Sequence, residues 1–212
     1  LLDLELGRES ELTHYDWITD TTVHDGSAWA YMKNSKYKTT TDLVHYLIDN
    51  VSKNGYMLLN IGPKPDGTIP EEDKNLLEGI GNWLDVNGEA IFETDTWDQY
   101  GEGPTKMNEA GPFSDNRAKL IYTAKDFRFT TKDNFLYATA LGWPSKDFTI
   151  ESIYKLFDNE IERVELLGST DKVEWKHTRD GLHITRPDNK PCEHAYSFKI
   201  CLLYTSDAAD DW

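Results

Sequence analysis

Residues 49–70 read DNVSKNGYMLLNIGPKPDGTIP, and their order decides the fold. A helix ends, an apolar strand follows at once, and a Gly/Pro-rich turn opens a second helix. Upstream, Leu43, Val44, Leu47, Ile48 and Val51 form one apolar stripe at helical spacing, which predicts a helix over 39–54. Thr39 with Asp42 matches a capping pair, with Asp where Glu or Gln is usual. Gly55 is expected to close that helix in a left-handed conformation. Residues 56–61 are apolar on both faces apart from Asn60, as a strand buried between helices requires. Gly62, Pro63 and Pro65 stop it, and Asp66-Gly67 makes a turn. Pro70 suits the first helical position, and Glu71, Glu72 and Asp73 favour the positive end of a helix. Leu76, Leu77, Ile80 and Leu84 give the second stripe, with Asn87-Gly88 expected to end it as Asn54-Gly55 ends the first. Helix, strand and helix in this order form the repeat of a parallel α/β fold.

Working outward, residues 1–6 (LLDLEL) alternate apolar and acidic side chains, as a strand end does. Residues 7–38 read as a long polar loop, which Trp17, Trp29, Tyr31 and Tyr37 argue is ordered. Past residue 95 the period changes. Short strand candidates occur at 127–131, 135–141, 148–153, 161–167, 173–177, 182–186 and 195–200, separated by turn signals such as Lys132-Asp133-Asn134 and Arg179-Asp180-Gly181. That spacing predicts an antiparallel β-sandwich. The boundary falls in 91–100, before Gly101-Glu102-Gly103-Pro104.

Composition narrows the function. A net charge of −16 leaves no basic stripe to neutralise phosphates, which argues against nucleic acid. The 2 cysteines, Cys192 and Cys201, make neither a disulfide framework nor a metal cluster, and no run approaches a membrane span. His14, His24, His45, His177, His183 and His194 show no metal spacing, and no phosphate-binding glycine motif occurs, so no metal and no cofactor are expected. Residues 201–212 (CLLYTSDAADDW) back-translate into a sequence like a library adapter, and are expected to be a sequencing artefact.

The segment NVSKNGYMLLNIGPKPDGTIPEED, with IGNWLDVNGEAIF after it, closely resembles the α-L-fucosidases of glycoside hydrolase family 29. Other pieces agree in order. Residues 15–21 (YDWITDT) resemble a PWQTDTS-like segment, Trp29-Ala30-Tyr31 a WGY, and Thr96-Trp97 with 100–104 a PWKVYGEGP-like run. The resemblance is clear over about 3–144 and weaker beyond. It implies α/β plus all-β architecture: the C-terminal part of a catalytic (β/α) barrel over 1–94, then a C-terminal β-sandwich over 95–200. It implies a retaining, exo-acting hydrolase of terminal α-L-fucose on glycans, in which two carboxyl groups share the chemistry. The nucleophilic Asp of the family has no match here and is expected upstream, so this fragment alone is expected to be inactive. Glycan-degrading enzymes are often secreted or periplasmic, and oligomeric state is not readable from these residues.

Three residues become site candidates through the resemblance. Glu5, in DLELGRE, matches a DYERGR-like stretch and is expected to be the general acid/base, with Glu9 and Glu11 as rivals. Catalytic carboxylates sit at the C-terminal ends of barrel strands. Trp29 matches an aromatic that packs on the apolar face and methyl group of fucose. Trp17 is a further substrate-binding candidate that could equally anchor its loop. Asn60, the one polar residue of its strand, is expected to satisfy neighbouring backbone groups. A different reading makes the chain a carbohydrate-binding or scaffolding module, with Trp143 or Trp175 as exposed platforms.

Overall fold

The computed structural model describes residues 1–26, 28–114 and 120–203. Its first part is a parallel sheet in the order β1 (Leu2–Asp3), β2 (Trp17–Thr22), β3 (Gly55–Asn60). Helix α1 (Thr40–Ser52) crosses from β2 to β3, and α2 (Glu71–Asn87) follows β3. The expected capping box is present: Asp42 N–H reaches the Thr39 hydroxyl at 3.1 Å, and Thr39 N–H reaches the Asp42 carboxylate at 3.0 Å. The apolar stripes of the two helices meet as Leu43, Val44, Ile48, Leu76, Ile80 and Trp83, all buried.

Four local expectations are corrected. Residues 17–22 are not loop but the central strand, disguised by WITDTT having more threonine than aliphatic side chains. Trp17, Thr19 and Thr21 face inward, and the Thr19 hydroxyl is satisfied by the Leu4 carbonyl at 3.2 Å and by Tyr46 Oη at 3.0 Å. The left-handed residue after α1 is Asn54 (φ 71°), not Gly55. Gly55 is required for another reason: a Cβ there would lie 2.3 Å from the Trp17 ring. Gly88 likewise stays right-handed (φ −58°) and leads into a short 3₁₀ turn, Gly88–Ala90. Finally, β3 is covered on only one face among the described residues, because Tyr56 and Leu58 on the other face are 55% and 58% exposed.

The second part is a β-sandwich. A five-stranded antiparallel sheet runs β4 (Asp95–Glu102), β5 (Phe127–Lys132), β6 (Phe135–Ala140), β11 (Tyr196–Leu202), β8 (Ile161–Leu166). A three-stranded sheet of β7 (Phe148–Ile150), β10 (Gly181–Ile184) and β9 (Trp175–Thr178) packs on it. Phe127, Phe129, Leu136, Leu182, Ile184 and Phe198 meet in the core between them. Strand β11 runs to Leu202, so Cys201 and Leu202 are paired strand residues, while 204–212 of the expected artefact lie outside the described residues.

The far face of the five-stranded sheet is polar yet buried. Arg128, Thr130, Thr139 and Ser197 are each 5% exposed or less. This face carries the helices rather than water. Thr130 donates to the Ala90 carbonyl at 2.8 Å, Ser197 N–H to Asn87 at 3.2 Å, and the Trp83 indole N–H to the Ala195 carbonyl at 2.9 Å. His45 Nε2 lies 3.0 Å from the His194 carbonyl oxygen, and burial lowers the pKa of both histidines.

Asp49 of α1 closes this seam. Its fully buried carboxylate meets Lys53 Nζ at 2.8 Å, Arg128 Nε at 2.6 Å and Arg8 Nη1 at 3.4 Å. Tyr100 lies beside Lys53 and Arg128, and Tyr46 beneath Arg8. Burial pushes the Asp49 pKa up, but Lys53, Arg128 and Arg8 outweigh it and hold the carboxyl well below the usual carboxylate range. Removing it strands these cations away from water, so Asp49→Ala is expected to lower stability by about 3–5 kcal/mol in urea unfolding. Because the folded pKa is depressed, the carboxylate's contribution is complete above the unfolded value of about 3.9 and is lost as pH falls below it. The loss of stability between pH 5 and 3 should shrink in Asp49→Asn, and an identical slope in both proteins would refute the assignment.

Candidate active site

Glu5 and the loop that carries Trp29 lie at the C-terminal ends of the parallel strands. Glu5 sits in the turn that follows β1, exposed, while its carbonyl takes the Phe113 N–H at 2.7 Å. The β1–β2 register sets Asp3 beside Ile18. Leu6 N–H donates to the Asp20 carbonyl at 3.0 Å, and continuing the register places Glu5 beside Asp20. Period-2 alternation turns Asp3, Glu5 and Asp20 to one side of the sheet. Burial raises the Asp20 pKa, and the charges of Asp3 and Glu5 add to the rise. Asp20 was not singled out from the sequence: the alternation of LLDLEL was legible, but its alignment with residues 17–22 depends on a strand pairing that no local pattern shows.

Trp29 rides on a loop over residues 25–36, closed at its base by the Asp25 N–H to Lys36 carbonyl bond (2.8 Å) and the Lys38 N–H to Val23 carbonyl bond (2.9 Å). The Asn60 side chain holds the Trp29 carbonyl at 2.9 Å, the backbone role expected of it, and Thr22 holds the Ala28 carbonyl at 2.9 Å. Gly62 lets the loop lie down on the turn after β3, since a Cβ there would meet Tyr31 N at 2.8 Å and the Ala30 carbonyl carbon at 3.0 Å. Trp29 stays half-buried, at the same C-terminal end of the parallel strands as Glu5.

Trp17 does not join them. It is fully buried, its indole N–H donates to the Lys53 carbonyl at 3.1 Å, and its ring fills the space left by Gly55. With no ring face open to a ligand, the substrate-binding expectation for Trp17 is replaced by the anchoring one. Of the rival carboxylates, Glu9 accepts the Tyr15 hydroxyl at 2.9 Å. Among the described residues, no group of three or more His, Cys, Asp or Glu side chains is arranged to hold a metal ion.

In the sandwich, Trp143 and Trp175 are both partly buried against the core, and Trp175 also lines an open groove. Trp143 is held between Tyr196, with ring centroids 4.8 Å apart, and the Arg186 guanidinium 5.5 Å from its ring. Trp175 packs on the sandwich core. An open groove of about 460 Å³ runs past Asp147, Thr149 and His183. Both His183 nitrogens are already within hydrogen-bond reach of Thr149 and Thr178, and Asp147 accepts the Arg186 N–H.

Comparison with known proteins matches both halves. A family model described as alpha-L-fucosidase covers residues 3–89, and one described as alpha-L-fucosidase C-terminal domain covers 119–201. The chain belongs to the α-L-fucosidase family. Plasma alpha-L-fucosidase of Pongo abelii is 30% identical over 197 residues, 89% of this chain and 38% of that protein. Tissue alpha-L-fucosidase of Rattus norvegicus is 28% identical over 91% of this chain and 39% of its own length. A solved alpha-L-fucosidase superposes with a TM-score of 0.74 at 26% identity, over 94% of this chain and 42% of that one. Thermotoga maritima alpha-fucosidase, solved in complex with fucose, does so with a TM-score of 0.66 at 28% identity, over 90% and 41%. The chain thus spans about two-fifths of the length of these α-L-fucosidases. Its parallel strands and helices are the C-terminal part of the (β/α) barrel, and its antiparallel sheets are the β-sandwich.

The anchoring role of Trp17 has a direct measure. Trp17→Phe removes a buried hydrogen bond and part of a ring, and is expected to cost about 2–3 kcal/mol in urea unfolding. Wild-type stability in that variant would refute it.

Proposed function

We propose that this chain is part of a retaining, exo-acting α-L-fucosidase that removes terminal α-L-fucose from glycans or glycoconjugates. The observation that carries the reading is that Glu5 and the Trp29 loop both lie at the C-terminal end of the parallel strands, where barrel enzymes assemble their sites. In this reading Glu5 protonates the leaving glycosidic oxygen, then takes a proton from the water that releases the sugar. Burial and the charges of Asp3 and Glu5 raise the pKa of Asp20 above that of an ordinary aspartate. The Trp29 indole presents an apolar face to the C–H bonds and methyl group of fucose. The nucleophilic carboxylate that attacks the anomeric carbon comes from a barrel strand outside these residues.

The partner is a fucosylated glycan or oligosaccharide, met in a secreted or periplasmic setting. No helix among the described residues is long and apolar enough to cross a membrane. In this reading the chain divides at about residue 94, with the partial site in the barrel segment and the sandwich as its support.

The test uses an aryl α-L-fucoside. In a protein that carries the complete barrel, Glu5→Gln is expected to lower turnover by about 10²–10⁴-fold, the span of general acid–base catalysis. Glu9→Gln and Glu11→Gln should leave it near wild type, and the first-formed fucose should keep the α configuration. The chain by itself should show no turnover. An inverted product, or robust turnover by the chain alone, would overturn the reading.

A further inference from the structure

One buried histidine is used by nothing described above. His24 follows β2 at the sugar-facing end of the sheet and is fully buried, yet neither ring nitrogen has a hydrogen-bond partner among the described groups. Its backbone bridges Tyr37 at the base of the Trp29 loop, and the two rings pack 4.8 Å apart. Its Nε2 lies 3.1 Å from where a Cβ of Gly62 would stand, under the backbone of Ala30 and Tyr31. Gly62 N–H in turn donates to Asp73 Oδ2 at 3.0 Å, and Asp73, also fully buried, keeps Oδ1 without a partner. Burial, with the facing Asp73 carboxylate, pushes the Tyr37 phenol up to about 12. His24 therefore meets Tyr37 and Gly62 beneath the loop, and the Gly62 N–H links this cluster to Asp73.

An unsatisfied buried donor or acceptor costs about 1–3 kcal/mol, so a buried histidine with both nitrogens idle calls for an explanation. A phenylalanine would fill the same space and stack on Tyr37 without that cost. The open valences also match each other. A neutral imidazole offers one N–H, the Asp73 oxygen needs a donor, and a hydroxyl both accepts and donates. A hydroxyl seated here would join the base of the loop to the start of α2.

We propose that His24 is a positioning residue for the Trp29 loop, acting through a hydroxyl it shares with Asp73. The hydroxyl is that of a buried water or of the sugar itself. The sugar-contact part rests on the reading of Trp29 given above; the loop-holding part does not.

Hydrogen–deuterium exchange on the whole chain, with and without L-fucose, separates these. His24→Phe keeps the packing and removes the nitrogens, and His24→Gln restores a polar group. Exchange over residues 25–36 is expected to be about tenfold faster in His24→Phe and near wild type in His24→Gln, with α1 unchanged in both. Loosening without fucose assigns the hydroxyl to water, and a difference seen only with fucose assigns it to the sugar. Fucose affinity, read by titration, should fall about tenfold in His24→Phe and recover in His24→Gln, a split that loss of packing alone does not produce. Trp29→Ala tests the sugar contact by itself: unchanged fucose binding there would remove Trp29 from the site without altering the His24 contrast. Exchange in His24→Phe as slow as wild type, with and without fucose, would overturn the proposal.

Discussion

One carboxylate holds the two halves of this chain in register. Asp49 is supplied by the helix between β2 and β3, Arg8 by the segment just past Glu5, and Arg128 by β5 of the sandwich. A buried ion cluster of this kind adds little net stability over a well-packed apolar core. What it adds is geometry: the guanidinium and ammonium groups converge on two oxygens from different directions, and a shifted helix leaves at least one cation unpaired. The position of the β1 end, and with it Glu5, is therefore set partly from the sandwich side.

Much of the framework was legible in the sequence, for physical reasons. The helices declare themselves by stripes of leucine and isoleucine, and seven sandwich strands by alternation between turn residues. The strand Asp95–Glu102 escaped because DTWDQYGE has no apolar alternation. It runs along a sheet edge and breaks register between Thr96 and Gly101. β2 escaped because threonine satisfies a buried strand through its hydroxyl, which no count of apolar residues detects. The resemblance to a family supplied the architecture that these local patterns could not.

The site was legible only in part. Glu5 and Trp29 stand out through motifs, and both lie at the C-terminal end of the parallel strands. Asp20 lies within the YDWITDT segment without being marked out by it, and His24 carries no motif of its own. Each matters because of what folding places beside it: Asp3 and Glu5 across a strand pair, and Gly62 with Asp73 across a turn and a helix end. Such residues have ordinary local sequence and unusual surroundings. Trp17 is the reverse case, a conspicuous aromatic whose surroundings turn out to be ordinary packing.

The polar face of the five-stranded sheet has a consequence for inheritance. A seam fastened mainly by threonine, serine, asparagine and backbone groups can be wetted when its partner is absent, because water replaces each bond in turn. A sheet face of leucine and phenylalanine would have to find another oily surface or precipitate. A sandwich built this way can pass from one gene to another as a cassette, arriving soluble and acquiring a new host by a few well-placed hydrogen bonds. The helices, whose leucines share one apolar cluster with Leu141 and Ala195, have no such freedom.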